Sequence, residues 1–117
     1  MTDLSLKKDT IENVKKDISE IIHKKMDADL AAIILYGSCA KGDYTEDSDI
    51  DFALLLNCDR MESKKYNDLL ASISTEMAMK YYAIVNFVCF PYEEFLQKKV
   101  WYPYFANIDS EGEVLNG

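Results

Sequence analysis

One histidine, two prolines, four glycines and three cysteines are all that 117 residues contain of those types, and lysine and arginine are well outnumbered by acids. Each scarcity excludes something. Few glycines and prolines, beside 49% hydrophobic and 12% aromatic residues, describe a packed domain, with no composition suited to a linker or disordered tail. The 13 Lys and Arg against 21 Asp and Glu give a net charge of −8, which repels a phosphate backbone and excludes long nucleic acid as the main partner. Cys39, Cys58 and Cys89 are odd in number, widely spaced and form no CxxC pair, which points to reduced thiols and a cytoplasmic location. No run approaches the length of a membrane span and the first 16 residues have no signal-type apolar core, so membrane insertion and secretion are not expected. The length suits one domain over residues 1–117, and no internal repeat is present.

The apolar residues then set the order of elements. Ile11, Val14, Ile18, Ile21 and Ile22 recur at helical spacing over residues 5–26, and Asp9 followed by Glu12 resembles a capping box. His23 sits among lysines near the end of that helix, the place of a solvated residue favourable to the helix dipole. The continuous run AAIILY at 31–36 stops at Gly37 and predicts a buried strand. From Asp49 the pattern alternates, with Asp49, Asp51, Ala53 and Leu55 on one side and Ile50, Phe52, Leu54 and Leu56 on the other, so a second strand follows. Helical spacing over 61–80, a third strand over 83–90 ended by Pro91, and a short helix over 92–99 complete the pattern. The remaining tail is polar and is expected to loop over the surface, beyond an aromatic stretch at Trp101, Tyr102, Tyr104 and Phe105.

Two short features carry chemistry. Residues two apart on a strand share a face, so Asp49 and Asp51 converge, and paired carboxylates repel unless a cation lies between them. Magnesium suits such a pair, because it takes one or two carboxylates and completes its shell with water and substrate phosphates. Gly37 permits a sharp turn after the first strand, and Ser38 starts a short helix whose free N–H groups suit phosphate oxygens. Lys41 adds positive charge, and Gly42 closes the turn. A Gly-Ser turn alone usually marks a loop and an isolated DxD usually marks surface acids; the combination, with apolar strands on both flanks, is what informs.

The run Gly37-Ser38, ten residues, Asp49-Ile50-Asp51, with Lys41, Gly42 and "DSDIDFALLL" around it, resembles the signature of the DNA polymerase beta-like nucleotidyltransferase superfamily, in its minimal single-domain form. The resemblance implies an α/β (α+β) fold, a small mixed sheet with helices packed on it. It also implies transfer of a nucleoside monophosphate from a nucleoside triphosphate to a hydroxyl of a small molecule or protein. Asp49 and Asp51 would then be the catalytic pair and the ligands of two nucleotide-bound Mg2+ ions, and Gly37, Ser38, Lys41 and Gly42 would bind the nucleotide.

Active members usually carry a third carboxylate on a later strand. Here the same-face set on the third strand is Ile84, Asn86, Val88 and Phe90, so the polar side chain at that position is Asn86, which offers a carbonyl but neither charge nor a base. Three arrangements answer this: Asn86 occupies the position with weak or lost catalysis, Glu93 or Glu94 swings in, or a partner completes the site. The alternative function is an antitoxin-like regulatory partner of a small helical protein of the HEPN type, as in two-component toxin–antitoxin modules, or a nucleotide-binding protein without turnover.

Overall fold

In the computed structural model, which describes residues 6–115, three apolar segments become the strands β1 (Leu30–Tyr36), β2 (Ile50–Leu56) and β3 (Val85–Pro91). A two-residue strand, β4 (Glu113–Val114), joins them in the order β3-β2-β1-β4. β1 runs antiparallel to β2 and to β4, whereas β2 and β3 are parallel, so the sheet is mixed as expected. The parallel pair needs a crossover, and the helical segment between β2 and β3 supplies it.

Alternation along β2 assigns each face of the sheet to its own core. Ile50, Phe52, Leu54 and Leu56 pack with α1 (Lys8–Met26) and α4 (Asn67–Tyr81), through Val14, Ile18, Ile22, Ile73 and Met77. Ala53 and Leu55 face the other way and are buried with Ile34, Phe95, Phe105 and Ile108, the last three from α5 (Tyr92–Lys98) and α6 (Pro103–Glu111). The sheet is therefore the middle of three layers, with β2 covered on both sides.

Four expectations change. The first helix has Lys7 at its N-cap with no side-chain cap, so Asp9 stands inside the first turn, where it favours the dipole, and Glu12 pairs with Lys15 at 3.2 Å instead of capping. The single helix expected over 61–80 is broken into α3 (Arg60–Ser63), a 3-10 turn at Lys64–Tyr66, and α4. Asp59 caps α3 by accepting from the N–H of Glu62 at 2.8 Å, and so starts a separate short helix before the longer one. The tail is no surface loop: α6 buries Phe105 and Ile108, and β4 pairs with β1, with the Leu115 N–H donating to the Ile33 carbonyl at 2.8 Å. His23 is half-buried, and its Nε2 is shielded from solvent with no partner among the described residues. The expected helix start at residue 5 and the last two residues of the tail lie outside the described residues.

α1 and α4 are also joined by a polar contact. Lys80 Nζ donates to Asp17 Oδ2 at 2.8 Å and the Tyr81 hydroxyl donates to the same oxygen at 2.7 Å. The Lys80 bond, joined by that of Tyr81, holds the Asp17 carboxyl below its ordinary value. A depressed folded pKa gives stability that is complete above the unfolded value, about 3.9, and is lost as pH falls through the folded one. Asp17→Asn should lower stability at neutral pH, and urea midpoints measured from pH 7 down through pH 3 should fall less for the variant than for the natural chain. Phe52, wholly buried and stacked on Phe87 at 5.8 Å, gives a packing test. Phe52→Ala should cost about 3–5 kcal/mol, seen as a lower urea midpoint at an unchanged slope.

Candidate active site

β1 ends beside β2, with Tyr36 opposite Asp51, and the chain then turns at Gly37 into α2 (Ser38–Lys41). Gly37 has φ 76° and ψ −157°, a region that L side chains rarely enter, and a Cβ there would stand 3.0 Å from Asp51 Oδ2. Glycine is thus required both by the turn and by the closeness of the carboxylate. Gly42, at φ 81°, ends the turn by donating its N–H to the Ser38 carbonyl at 3.0 Å. Lys41 reaches outward, with Nζ 3.9 Å from Asp43 and 3.7 Å from Glu111 at the end of α6.

The loop back to β2 is tied to itself, since the Thr45 N–H donates to Ser48 Oγ at 2.9 Å and the Ser48 N–H to the Thr45 carbonyl at 3.1 Å. It delivers Asp49 to the start of β2, where its carbonyl accepts the Cys39 thiol at 3.4 Å. Burial, and then the negative charge of Asp51, push that thiol above the usual range, so Cys39 stays a neutral donor. Across the parallel pair, Asp51 stands level with Asn86. Asn86 Nδ2 donates to Asp49 Oδ2 at 3.0 Å and to Asp51 Oδ1 at 3.1 Å, so the three side chains meet at one point. Between two carboxylates, the amide presents its NH2 group, the only donor it has.

Glu93 and Glu94 do not reach this point. They stand on α5, beyond the far end of β3, and Glu94 is held by Lys98 at 2.7 Å and Arg60 at 2.6 Å, of which the Lys98 bond does most to keep its carboxyl below the usual range. The side chain that meets the two aspartates is therefore Asn86 and neither glutamate.

A cavity of about 320 Å³ opens beside the turn, lined by Gly37, Ser38 and Lys41 on one side and by Tyr104, Asn107 and Glu111 of α6 on the other. Tyr36 and Tyr104 meet there through their hydroxyls at 3.1 Å, and burial followed by this bond pushes the Tyr36 phenol well above the usual tyrosine range. The α6 residues had no signal of their own in the sequence, because the aromatic stretch reads more readily as cover for the sheet edge or the first helix, and Asn107 and Glu111 belong to no pattern.

Among the described residues no set of three or more His, Cys, Asp or Glu side chains is gathered as metal ligands. Two carboxylates that already converge on one donor nevertheless fit a hard cation such as Mg2+, which needs no more than one or two carboxylates from the protein. Asn86 can turn its carbonyl oxygen toward such an ion.

A mixed sheet with helices packed on it is a fold found among nucleotidyltransferases. A structure described as a putative nucleotidyltransferase from Sulfolobus solfataricus shares the fold, with a TM-score of 0.50 and 16% identity over 91% of this chain and 82% of that one. The family model described as "Nucleotidyltransferase domain" matches residues 11–110, and the chain belongs to that family. It is 33% identical over 106 residues, 88% of this chain and 98% of the relative, to a protein of Methanocaldococcus jannaschii named as a putative protein adenylyltransferase. A second protein of that organism with the same descriptive name is 36% identical over 76 residues, covering 65% of this chain and 71% of its own length.

Gly37→Ala should displace the Asp51 carboxylate and strain the turn, at a cost of about 1–3 kcal/mol in urea denaturation. The Asn86 side-chain amide resonances should shift with it, since their two acceptors move apart.

Proposed function

We propose that the protein is a magnesium-dependent nucleotidyltransferase that moves a nucleoside monophosphate from a nucleoside triphosphate to a hydroxyl of a protein or small molecule. The names of the two relatives favour adenylyl transfer to a protein. The observation that carries the reading is the meeting of Asp49 and Asp51 on a single donor beside the Gly37–Ser38 turn. A nucleotide whose terminal phosphates lie on the turn would have its α-phosphate near the aspartates.

Each residue then has a role. The Ser38 hydroxyl and the free N–H groups of α2 hold the outer phosphates, Lys41 leaves Asp43 and Glu111 to pair with them, and Gly37 and Gly42 shape the turn so that the backbone can approach. Asp49 and Asp51 would hold Mg2+, two ions in the family's pattern, and when bound the metal supplies charge neutralisation for an in-line displacement. The acceptor oxygen bonds to the α-phosphorus, the bond from that phosphorus to the bridging oxygen breaks, and pyrophosphate leaves with the electron pair. Asn86 positions the carboxylates but cannot take the acceptor's proton, which passes to water. Slow turnover follows. The reading places a single domain over residues 1–117 in the cytoplasm, where its three free thiols stay reduced; among the described residues no helix is long and apolar enough to cross a membrane.

One observation favours a second reading, regulation of a HEPN-type protein in a toxin–antitoxin pair. Val100 and Trp101, between α5 and α6, are 80% and 66% exposed, unlike Phe105, which turns inward to cover the sheet. Co-purification with a short helical protein, lost in Trp101→Ala, would establish that pairing.

Incubation with magnesium, α-labelled ATP and protein or small-molecule acceptors tests the main reading. Asp49→Asn and Asp51→Asn should each reduce transfer by roughly 10²-fold or more, the scale of lost transition-state charge stabilisation. Asn86→Asp should raise it, by up to about 10²-fold where the new carboxylate serves as a base. Absence of Asp49-dependent transfer to every acceptor class, with no triphosphate bound, would refute the assignment.

A further inference from the structure

Among the described residues, the outer edge of β3 carries main-chain groups without a protein partner, and this edge runs directly to the site. In a parallel strand the N–H and C=O of one residue point to the same side and those of the next residue to the other. The Ile84 carbonyl accepts the Ile50 N–H of β2 at 2.9 Å, so Asn86, Val88 and Phe90 also face β2. Val85, Phe87 and Cys89 consequently face outward. Ser74 of α4 confirms this alternation by donating to the Val85 carbonyl at 3.0 Å. Among the described residues β3 pairs only with β2, and the outward groups of Phe87 and Cys89 have no protein partner. Alongside lies a groove of about 560 Å³, walled by Asn67, Leu70 and Ser74 and reaching from Cys89 past Phe87 to Asn86.

We infer that this groove binds an extended segment of the acceptor protein, which adds to β3 as a further strand and so carries its hydroxyl to the aspartates. The inference rests on the transferase reading and names the form of its acceptor. Donors and acceptors repeating at every second residue match another polypeptide backbone, as in strand addition at other open edges. Register supplies the rest. A residue of the added strand level with Asn86 shares its face, with Cβ atoms about 5 Å apart, so a hydroxyl on it projects toward the point where Asp49 and Asp51 meet.

Charge selects between occupants. The end of the groove at Asn86 is surrounded by Asp49 and Asp51, and Glu46 and Asp47 line the adjoining surface with Ile84. A segment with lysine or arginine flanking its hydroxyl residue fits this end. A second copy of the chain brings a charge of −8 against the same charge, which opposes pairing of two β3 edges. In the transfer itself, the segment's oxygen bonds to the α-phosphorus as pyrophosphate leaves, and its proton passes to water.

The experiment uses the full chain, magnesium, a non-hydrolysable ATP analogue, and lysine-flanked peptides of about ten alternating valine and threonine residues with one central serine or tyrosine. Amide hydrogen exchange is read by NMR. In the free protein, Asn86 and Val88 should be protected and Phe87 and Cys89 should exchange quickly. Peptide should slow Phe87 and Cys89 by roughly tenfold, the scale of one main-chain hydrogen bond, and labelled ATP should then mark the peptide. Cys89→Pro removes an outward N–H and takes no bond from β2, so it should lower peptide labelling by about tenfold and leave binding of the analogue unchanged. Labelling of peptide while Phe87 and Cys89 stay unprotected would overturn the inference, as would analogue binding with neither protection nor labelling. Protection that grows with protein concentration without peptide, together with a dimer mass, would assign the edge to a second copy and overturn it as well. Failure to bind the analogue would be a failure of the transferase reading itself, and the inference would fall with it.

Discussion

The register of three strands holds the site together. Asp51 stands opposite Tyr36 on one side and Asn86 on the other, so the residue before the Gly37 turn, a carboxylate and an amide lie in one row across β1, β2 and β3. A slip of one residue in β2 would exchange its faces, sending Asp51 into the layer of α1 and α4 and pushing Phe52 out of it. Burial of Ile50, Phe52, Leu54 and Leu56 prevents that slip. The apolar residues of β2 therefore fix the position of the acid next to them, and core packing becomes a condition of the chemistry.

The second layer contributes in a different way. α6 buries Phe105 against Phe90 and Phe95, at ring separations of 4.7 and 5.3 Å, and the same helix turns Tyr104, Asn107 and Glu111 toward the Gly-Ser turn. One helix thus closes a core and walls a cavity. Its end is anchored by the short pairing of β4 with β1, and Glu113 adds a pair to Lys15 of α1 at 2.6 Å. Movement of α6 would be felt at Tyr36 and Lys41 together, because the Tyr36–Tyr104 bond and the Lys41–Glu111 pair are both made to it.

What the sequence made legible follows from how far apart the interacting residues lie. The alternation along β2 and the Gly37–Ser38 turn are local, and period and spacing express them directly; the same holds for Asn86, placed by counting along β3 from its apolar neighbours. Contacts between distant segments leave no such trace. Nothing local distinguishes Lys64–Tyr66 from the turns of a continuous helix, so the break between α3 and α4 was invisible. The tail carried too few apolar residues to show a period. Only the presence of an uncovered sheet face and a free edge of β1 makes Phe105 and Ile108 core residues and Val114 a strand residue.

Asn86 unites two demands on this small site. Two carboxylates facing each other without a cation raise the free energy of the folded chain, and a third would raise it further. An amide in that position donates to both acids at about ordinary hydrogen-bond distance, so it holds the pair together. In the proposed transfer, the same choice leaves no carboxylate at this point to accept a proton from the acceptor. On the proposed reading, preorganisation of the carboxylate pair and speed of the chemical step are therefore set against each other by one side chain. In the proposed transfer, the transition state would then draw its stabilisation from what remains: charge held by Asp49 and Asp51, phosphate contacts at the turn, and close positioning of the acceptor.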